Sequence, residues 1–507
     1  MKKILIISLL GVFTLGCKTQ QATVSESDTI TMKIVQINDV YEIDAINAGK
    51  NGGLARVAYI RDSIKNDYPN TYYFLAGDFL NPSLLGTIKV DGERLEGKQM
   101  VEVLNASDLD LVTFGNHEFD LKEKDLLKRL NESNFKWTTA NALHVTESGK
   151  HPFRMENENR SDSASDYEIF TATHSTGESI KFGVFSVVLP SNPKDYVFYG
   201  DIYDESERAY YDASKSSDFV IGLTHVAIDQ DKEIAKRIPN LPLIMGGHEH
   251  NNMLHKVGKT VIAKADANAV SLYVHTLKYN TKTKNLNVDS ELVMVTDKQK
   301  SSPKVQKVVD KWNKVLDDNL STLVQNPNEV IYNAVVPLDG TDTASRSEQT
   351  NLGVMIAQSM VYVYDDKPQA AILNGGGIRI DDHLEGDVTS KDIFRVLPFG
   401  GSVFKVDMTG ELLEKVLDYG ENAVGTGAYL QRYNLVKNAN GKWLIGNQPI
   451  DKSKVYNIAM NDFLMMGLDI PFLNADNPAV KKIDKPNEGE IAHDIRRAII
   501  HYIKNGL

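Results

Sequence analysis

The sequence predicts an α/β protein with more than one domain, and three observations lead to this class. The chain has 507 residues, 42% of them hydrophobic, which is enough for the cores of two or three domains. Between residues 32 and about 275, short apolar runs alternate with stretches whose apolar residues recur at helical spacing. Several of these runs end in Asp, Asn or His, which packing alone does not explain. Strands that alternate with helices favour an α/β layered architecture.

Five apolar runs have the length of buried strands, and each is followed by a polar side chain that can bind a metal. The runs are 32–38, 71–77, 109–114, 219–224 and 241–247, and the residues that follow them are Asp39, Asp78, Asn116 with His117, His225, and His248 with His250. Helical spacing predicts helices over 54–64, 98–105 and 121–130. Ligand sites in open α/β sheets form at strand ends, so we expect these side chains to lie close together.

The stretch Gly-Asn-His-Glu-Phe-Asp, residues 115–120, contains three closely spaced side chains that can bind a metal or take part in catalysis. Asn116 offers a neutral oxygen to a metal, His117 offers a proton or a positive charge, and Asp120 can orient that imidazole. The alternative is an Asn helix cap beside a buried histidine that serves only packing.

The second half of the chain begins with an amphipathic helix over 303–320, which we expect to link two domains. Its predicted apolar face consists of Val305, Val308, Trp312, Val315 and Leu316. A second mixed α/β domain follows, with strands expected at 370–373, 403–408 and 455–460 and helices at 351–363, 411–419 and 492–504. The predicted division is a first domain over 31–300, a linker helix over 301–323 and a second domain over 324–507.

The N-terminus has the pattern of an export signal. Two lysines precede an apolar stretch, 4–16, that is too short for a stable membrane anchor. The stretch ends in Thr14-Leu15-Gly16-Cys17, which is similar to a bacterial lipoprotein cleavage box, although Leu is more usual at the position of Thr14. We therefore expect a signal peptide over 1–17, a lipid on Cys17 as the only membrane attachment, and a polar tether over 18–30. The alternative is ordinary signal cleavage with an incidental cysteine. Cys17 is the only cysteine, so the exported protein has no internal disulfide.

The net charge of the chain narrows the class of ligand. At −12 the protein is a poor partner for a nucleic-acid polymer, whose backbone is itself negatively charged. If the protein binds a phosphate, it must do so with local cations, either metal ions or a few arginines.

The residues at the strand ends form a donor set that suits two divalent ions. Carboxylate, imidazole and amide ligands together are typical of Zn, Mn, Fe or Co, and a carboxylate such as Asp78 can bridge two ions. Two metals roughly 3.5–4 Å apart can activate a shared water and bind a phosphoryl group.

Asp, Gly-Asp, Gly-Asn-His-Glu, His and Gly-His-x-His, in this order, resemble the motifs of the calcineurin-like metallophosphoesterases. With the second half included, the mature chain is similar to the bacterial and animal 5'-nucleotidases, among them the periplasmic UDP-sugar hydrolases. The resemblance implies a metallophosphoesterase domain and a substrate domain that swings over it. It also implies that His117 and Asp120 form a catalytic dyad. The implied ligands are Asp39, Asp78 and His250 for one ion and Asp78, Asn116, His225 and His248 for the other.

Position 41 departs from this family. The family usually has Asp-x-His at the first strand end, whereas this chain has Asp39-Val40-Tyr41. Tyr41 either binds the first metal as a phenolate or packs beside a site with weaker or altered metal binding, and we expect the second.

The resemblance also assigns substrate residues in the second domain. The turn Asn374-Gly375-Gly376-Gly377-Ile378-Arg379 lets the backbone approach a ligand and supplies a forked cation. By resemblance, Arg346 is a second arginine at the substrate, two aromatic rings enclose a nucleobase and an acid contacts the ribose. The implied substrate residues are Arg346, Asn374, Gly376, Arg379, Tyr429, Phe463 and Asp469. The run Gly467-Leu468-Asp469-Ile470-Pro471 lacks two glycines and an aromatic of the family pattern, so the base and ribose pocket is expected to differ.

These observations predict an exported two-metal phosphohydrolase that acts on nucleoside 5'-monophosphates. The alternatives are a cyclic-nucleotide phosphodiesterase, a nucleotide-sugar pyrophosphatase or a sulfur-ester hydrolase on the same fold. A surface lipoprotein that binds nucleotides with little turnover is the alternative from another class.

Overall fold

The computed structural model describes residues 28–157, 160–191 and 193–507. The predicted signal peptide, 1–17, lies outside the described residues, as does most of the predicted tether. The first strand begins at Thr29, so the last two residues of the predicted tether belong to a strand. None of the helices in the described part of the chain has the length and apolar character that crossing a membrane requires.

The first domain is built on two six-stranded mixed sheets. The strands of the first sheet are, in spatial order, Leu286–Met294, Ser271–Asn280, Thr29–Ile37, Thr71–Leu75, Leu111–Thr113 and Lys136–Thr138. The strands of the second sheet are Tyr167–Thr173, Ser179–Val188, Phe219–His225, Leu243–Gly246, Thr260–Lys264 and Met253–Val257. All five strands predicted in this domain are present within a few residues of their predicted bounds.

Fully buried apolar side chains join the two sheets face to face, among them Ile34 and Phe74 from the first sheet and Val184, Leu223 and Met245 from the second. Burying such faces is the main apolar contribution to the stability of a layered domain. The helices that accompany the two sheets are Leu54–Asp67, Lys98–Ala106, Glu123–Glu132, Ile202–Ser214 and Ile228–Arg237.

One polar side chain joins the two sheets where their strands end. Gln36 of the first sheet donates through Nε2 to the carbonyl oxygens of Gly246 and Ala263 of the second sheet, at 3.0 Å each. Its Oε1 lies 2.8 Å from Nε2 of His275. Because Gln36 and His275 are fully buried, these directional bonds fix how one sheet sits on the other.

The stretch between residues 142 and 188 differs from the predicted alternation of strands and helices. It consists of strands: Ala142–Thr146, Gly149–His151, Arg154–Asn157, Arg160–Ser163, Tyr167–Thr173 and Ser179–Val188. Several of them are short and polar, so their sequence shows no clear period of two.

The amphipathic helix Pro303–Leu320 has the predicted bounds. It packs on helices Leu54–Asp67 and Lys98–Ala106, and Trp312 Nε1 donates to Glu102 Oε2 at 2.8 Å. Its buried face differs in part from the prediction, because the helical turn places position 309 inward and leaves Val308 and Val315 only partly buried; the buried residues are Val305, Val309, Trp312, Leu316 and Leu320.

The second domain is also α/β. Its five-stranded sheet consists of Leu430–Tyr433, Ala370–Asn374, Val455–Asn461, Val403–Thr409 and Val480–Asp484, in spatial order. A separate two-stranded ribbon pairs Val330–Asp339 with His383–Thr389. The main helices are Asn351–Tyr362, Ser390–Val396, Gly410–Asn422 and Ile495–Asn505, which include the three predicted ones.

Candidate metal centre

A buried cluster of ligand-type side chains lies where the strands of both sheets end. The ligand atoms of Asp39, Asp78 and His225 all lie within 4.8 Å of one another, and all three residues are buried. Asp39 and Asp78 follow strands of the first sheet, whereas His225 ends a strand of the second. The cluster therefore depends on the packing of one sheet on the other.

Two histidines flank the two carboxylates. His225 Nε2 lies 3.1 Å from Asp78 Oδ2 and 3.9 Å from Asp39 Oδ1. His250 Nε2 lies 3.3 Å from Asp39 Oδ1. The ring of His248 lies 5.6 Å from that of His225, and the backbone N–H of His248 donates to Asp39 Oδ2 at 2.9 Å. The side chains of Asp39, Asp78, His225 and His250 thus meet in one place, with the backbone of His248 beside them.

Three buried atoms form no well-aligned hydrogen bond among the described residues: Asn116 Oδ1, and Asp39 Oδ1 and His225 Nε2, which have only the ionic neighbours given above. Buried polar atoms are almost always paired, because leaving one unpaired costs about 1–3 kcal/mol. Oxygen and imidazole nitrogen are the donors that divalent first-row metals accept. The residues present therefore fit a metal ion.

The electrostatics of the cluster favour a bound cation. Burial by itself would raise the pKa of Asp39, but the imidazoles of His225 and His250 outweigh it and hold that pKa well below its usual value. Burial would lower the pKa of His225, yet Asp78 and Asp39 raise it to about 9. The field that stabilises a proton on His225 would also stabilise a metal cation.

The backbone at four of these residues is in the left-handed region: φ is 53° at Asp39, 56° at Asp78, 92° at His248 and 61° at His250. Residues other than glycine rarely adopt such angles, which cost on the order of 1–3 kcal/mol each. Strain of this kind concentrates at binding and catalytic sites, where the fold imposes it.

Glycines allow the strand ends to approach. A Cβ on Gly115 would lie 2.1 Å from Asp78 Oδ1, and one on Gly247 would lie 2.4 Å from the carbonyl oxygen of Ala76. Real Cβ atoms do not come so close, so these two positions, which precede Asn116 and His248, require glycine.

Glu118 has a role that the sequence did not reveal. Its carboxylate is fully buried and accepts four backbone N–H bonds of 2.6–3.0 Å. The four donors lie in the two loops that carry Asp78 and Asn116, and they are Gly115, Asp78, Phe79 and Leu80. Its place in the Gly-Asn-His-Glu-Phe-Asp stretch was visible, but its backbone partners across the sheet were not.

Lys264 is a second such residue. Its ammonium is buried and donates to the carbonyl oxygens of Val226, at 2.6 Å, and Gly247, at 2.8 Å. It also pairs with Asp231 at 2.9 Å and with Glu249. These bonds tie together the ends of the strands that carry His225 and His248.

Tyr41 lies inside the cluster. Its hydroxyl donates to Asp78 Oδ2 at 3.2 Å and lies 3.1 Å from His250 Nε2. Burial and the charge of Asp78 raise its pKa well above the usual value, so the hydroxyl keeps its proton.

His117 and Asp120 form a close pair at the edge of the cluster. His117 Nδ1 lies 2.7 Å from Asp120 Oδ2, and the backbone N–H of His117 donates to Asp78 Oδ1 at 2.8 Å. Burial would lower the pKa of His117, but the carboxylates of Asp78 and Asp120 raise it above its usual value. This shift favours the protonated imidazole, the form that can act as a general acid.

The second domain reaches this site at several points. Arg379 Nη2 lies 3.8 Å from Asp120 Oδ2, and Asp381 Oδ2 lies 2.9 Å from His250 Nδ1. Burial would raise the pKa of Asp381, but His250 outweighs it and lowers that pKa to about 2. A cavity of about 270 Å³ opens beside this contact, lined by both domains.

The remaining residues predicted to bind substrate fall into two groups. Asn374 Nδ2 donates to Asp469 Oδ2 at 2.9 Å, which places both at the turn after the strand Ala370–Asn374. Gly376 packs against Gly427 so closely that a Cβ would lie 2.7 Å from the Gly427 Cα.

The aromatic residues and arginines predicted to bind substrate differ in exposure and in their partners. Tyr429 is only 6% exposed, so little of its ring is open to a base in this arrangement, whereas Phe463 is half-buried. Arg346 pairs with Asp342 at 2.6 Å. The Nε atoms of Arg346 and Arg379 are buried without a hydrogen-bond partner among the described residues.

Sequence comparison assigns both halves of the chain. Residues 32–252 match the model of the calcineurin-like phosphoesterases, and residues 330–474 match that of the 5'-nucleotidase C-terminal domain. The chain belongs to the 5'-nucleotidase family. It is accordingly a metal-dependent hydrolase of phosphoric esters, with the calcineurin-like fold implying divalent ions.

Individual relatives of this 5'-nucleotidase family member are distant. The chain is 25% identical over 522 residues to a 5'-nucleotidase of Vibrio cholerae, covering 90% of this chain and 88% of that protein. It is 25% identical over 450 residues to the trifunctional nucleotide phosphoesterase protein YfkN of Bacillus subtilis, covering 78% of this chain but only 29% of that longer protein. The structure of a 5'-nucleotidase precursor from Thermus thermophilus superposes with a TM-score of 0.66 at 20% identity, covering 94% of this chain and 96% of that one. This likeness supports the two-domain α/β fold.

Proposed function

We propose that the protein is an exported phosphohydrolase that uses two divalent ions to release phosphate from nucleoside 5'-monophosphates. The observation that carries the proposal is the buried cluster of Asp39, Asp78 and His225 at the ends of strands from both sheets, whose ligand atoms lie within 4.8 Å of one another. The ions would be Zn, Mn, Fe or Co.

Each ion has its own proposed ligands. Asp39, Asp78 and His250 would hold the first, and Asp78, Asn116, His225 and His248 the second. Two ions held there would lower the pKa of a shared water and neutralise charge on the phosphoryl group. Tyr41 would neighbour the first ion as a hydrogen-bond donor to Asp78 and would not bind the ion.

His117 would act on the leaving 5'-oxygen. Asp120 engages Nδ1, which leaves Nε2 for the substrate, and the raised pKa of His117 keeps a proton there for transfer. Arg379 lies next to Asp120, and its guanidinium would meet the same phosphate from the second domain.

The second domain would bind the nucleoside. Asn374, Gly376 and Asp469 would contact the ribose side, and Phe463 with Tyr429 would stack on the base. Because Tyr429 is nearly buried in the present arrangement, stacking on it requires this part of the domain to open. Arg346 and Arg379 would bind the phosphate.

A substrate screen on the metal-supplemented mature protein tests the proposal. Phosphate release from AMP, GMP, CMP and UMP should be abolished by a chelator and restored by one of the four metals. A protein that binds these metals but releases no phosphate from any nucleotide would contradict the proposal.

A second candidate is a related substrate on the same site, namely a 2',3'-cyclic nucleotide or a nucleotide sugar. The loop around Asp469 favours it, because two glycines of the family pattern are replaced here by Leu468, which is 68% exposed, and by Ile470, which is fully buried. The Bacillus relative named as a trifunctional phosphoesterase is compatible with this breadth. Including cyclic nucleotides and UDP-glucose in the screen separates the two candidates.

Export and lipid attachment form a separate part of the proposal. The mature protein would carry a lipid on Cys17 and otherwise have no membrane contact. Labelling with a radioactive fatty acid should be lost in Cys17→Ser, whereas labelling that persists would contradict lipidation.

A further inference from the structure

The second domain contributes a carboxylate to a histidine of the metal centre. His250 follows the strand Leu243–Gly246 of the first domain, whereas Asp381 lies between Gly375–Gly377 and His383–Thr389 of the second. His250 Nδ1 lies 2.9 Å from Asp381 Oδ2 and 3.3 Å from the Asp381 carbonyl oxygen. The two residues are 131 positions apart in the sequence, so this contact exists only because the domains meet here.

Asp381 is fixed in place from its own side. Its second carboxylate oxygen, Oδ1, accepts the backbone N–H of Asp342 at 2.6 Å. Its φ is 45°, in the left-handed region that residues other than glycine rarely adopt. One oxygen is therefore anchored within the second domain while the other is presented to His250.

The contact orients the ring of His250. A carboxylate that accepts from Nδ1 leaves Nε2 as the nitrogen that can bind a metal. His250 Nε2 is the atom that lies 3.3 Å from Asp39 Oδ1 and 3.1 Å from the Tyr41 hydroxyl. Of the two ring nitrogens, Nε2 is thus the one turned toward the cluster.

We propose that Asp381 is a positioning residue for the metal site of Asp39 and His250, so that contact with the second domain completes this site. The inference rests on the metal site of the proposed function and extends it across the domain boundary. Partners that orient a metal-bound histidine typically change metal affinity 10–100-fold. Because linkage is reciprocal, an ion in this site would in turn stabilise the contact between the domains.

In the test, Mn²⁺ is titrated into the metal-free full-length protein, and calorimetry measures the affinity and number of the bound ions. Asp381→Ala should lower the affinity of one Mn²⁺ equivalent about 10–100-fold and leave the other equivalent nearly unchanged. Asp381→Asn should lower this affinity less, because its amide oxygen still accepts a hydrogen bond from His250 Nδ1.

Asp382→Ala is the matched control. Asp382 is the next carboxylate along the chain, and its Oδ1 accepts the backbone N–H of His383 at 2.7 Å, a contact within the second domain. The control removes the same charge from the same turn, so it should bind both equivalents as the wild type does. Circular dichroism of each variant checks that the fold is retained.

Two results would overturn the inference in different ways. Wild-type protein that binds two equivalents, together with Asp381→Ala protein that binds both equally well, would exclude Asp381 while leaving the proposed function intact. Wild-type protein that binds no divalent ion would exclude the metal site itself, and this inference with it.

Discussion

Gly115 lies against the carboxylate of Asp78, so closely that a Cβ at position 115 would be 2.1 Å from Asp78 Oδ1 and 2.5 Å from the Asp78 backbone nitrogen. Gly115→Ala must therefore push apart the two loops that carry Asp78 and Asn116. We expect the variant to lose at least one equivalent of bound metal, measured by plasma emission spectroscopy after dialysis. Gly427→Ala is the control, because its Cβ would meet nothing nearer than 3.4 Å. Full metal content in Gly115→Ala would contradict the close approach.

The dyad of His117 and Asp120 predicts a loss of turnover that is separate from metal binding. His117→Ala should reduce kcat about 10²–10⁴-fold, the range for loss of a general acid, while the bound metal stays unchanged. Asp120→Asn should reduce kcat less, since the amide oxygen still accepts from Nδ1. Equal turnover in His117→Ala and the wild type would remove His117 from the mechanism.

Glu118→Gln tests the carboxylate that joins the two loops. A glutamine turns an NH₂ group toward backbone donors, so some of the four bonds are lost and buried N–H groups remain unpaired. We expect the free energy of unfolding in urea to fall by about 1–3 kcal/mol. Glu93→Gln, at a side chain that is 77% exposed, is the control and should have little effect. Identical unfolding curves for both variants would show that the four bonds are not important.

His275 predicts a pH dependence of stability. Burial lowers its pKa from 6.5 to about 3, so the unfolded chain takes up a proton before the folded protein does. The contribution of His275 is complete above pH 6.5 and is lost as the pH falls toward 3, by up to about 1.4 kcal/mol per pH unit. Urea unfolding of chelator-treated protein between pH 7 and 4 should show a steeper decline for the wild type than for His275→Gln. Parallel declines would contradict the prediction.

The two domains share a buried ion pair whose removal should be costly. Arg395 Nε lies 3.0 Å from Glu42 Oε1, and the two side chains are 7% and 16% exposed. Removing one partner leaves the other charge buried, so Arg395→Met should lower the free energy of unfolding by about 3–5 kcal/mol. A double-mutant cycle with Glu42→Gln isolates the coupling.

An exposed pair across the same boundary provides the control for that cycle. Lys50 and Asp387 lie 3.4 Å apart with side chains 57% and 41% exposed, and solvent should screen their interaction. Coupling energies of equal size in the two cycles would contradict the importance of burial.

The sequence predicted the α/β class and the strands that carry the site, because apolar runs ending in ligand-type residues are a local signal. Asp39, Asp78 and His225 were identified in this way, and they do lie together. What the sequence could not predict is the set of contacts that support them. Glu118 accepts bonds from backbone groups, which leave no trace in residue identity, and Asp381 acts across a domain boundary.

The secondary structure was likewise predicted only in part. The helix Pro303–Leu320 was predicted from its period, since 18 residues give that period enough length to be recognised. The strands between residues 142 and 188 were missed because their short polar segments carry no comparable signal.

The left-handed backbone at Asp39, Asp78, His248 and His250 has a practical consequence. Four residues that each oppose folding by on the order of 1–3 kcal/mol lower the melting temperature of the metal-free chain. A bound ion stabilises only the folded form, and the gain grows with the logarithm of its concentration over its dissociation constant. Melting temperature alone would then rank candidate ions, before any substrate is known.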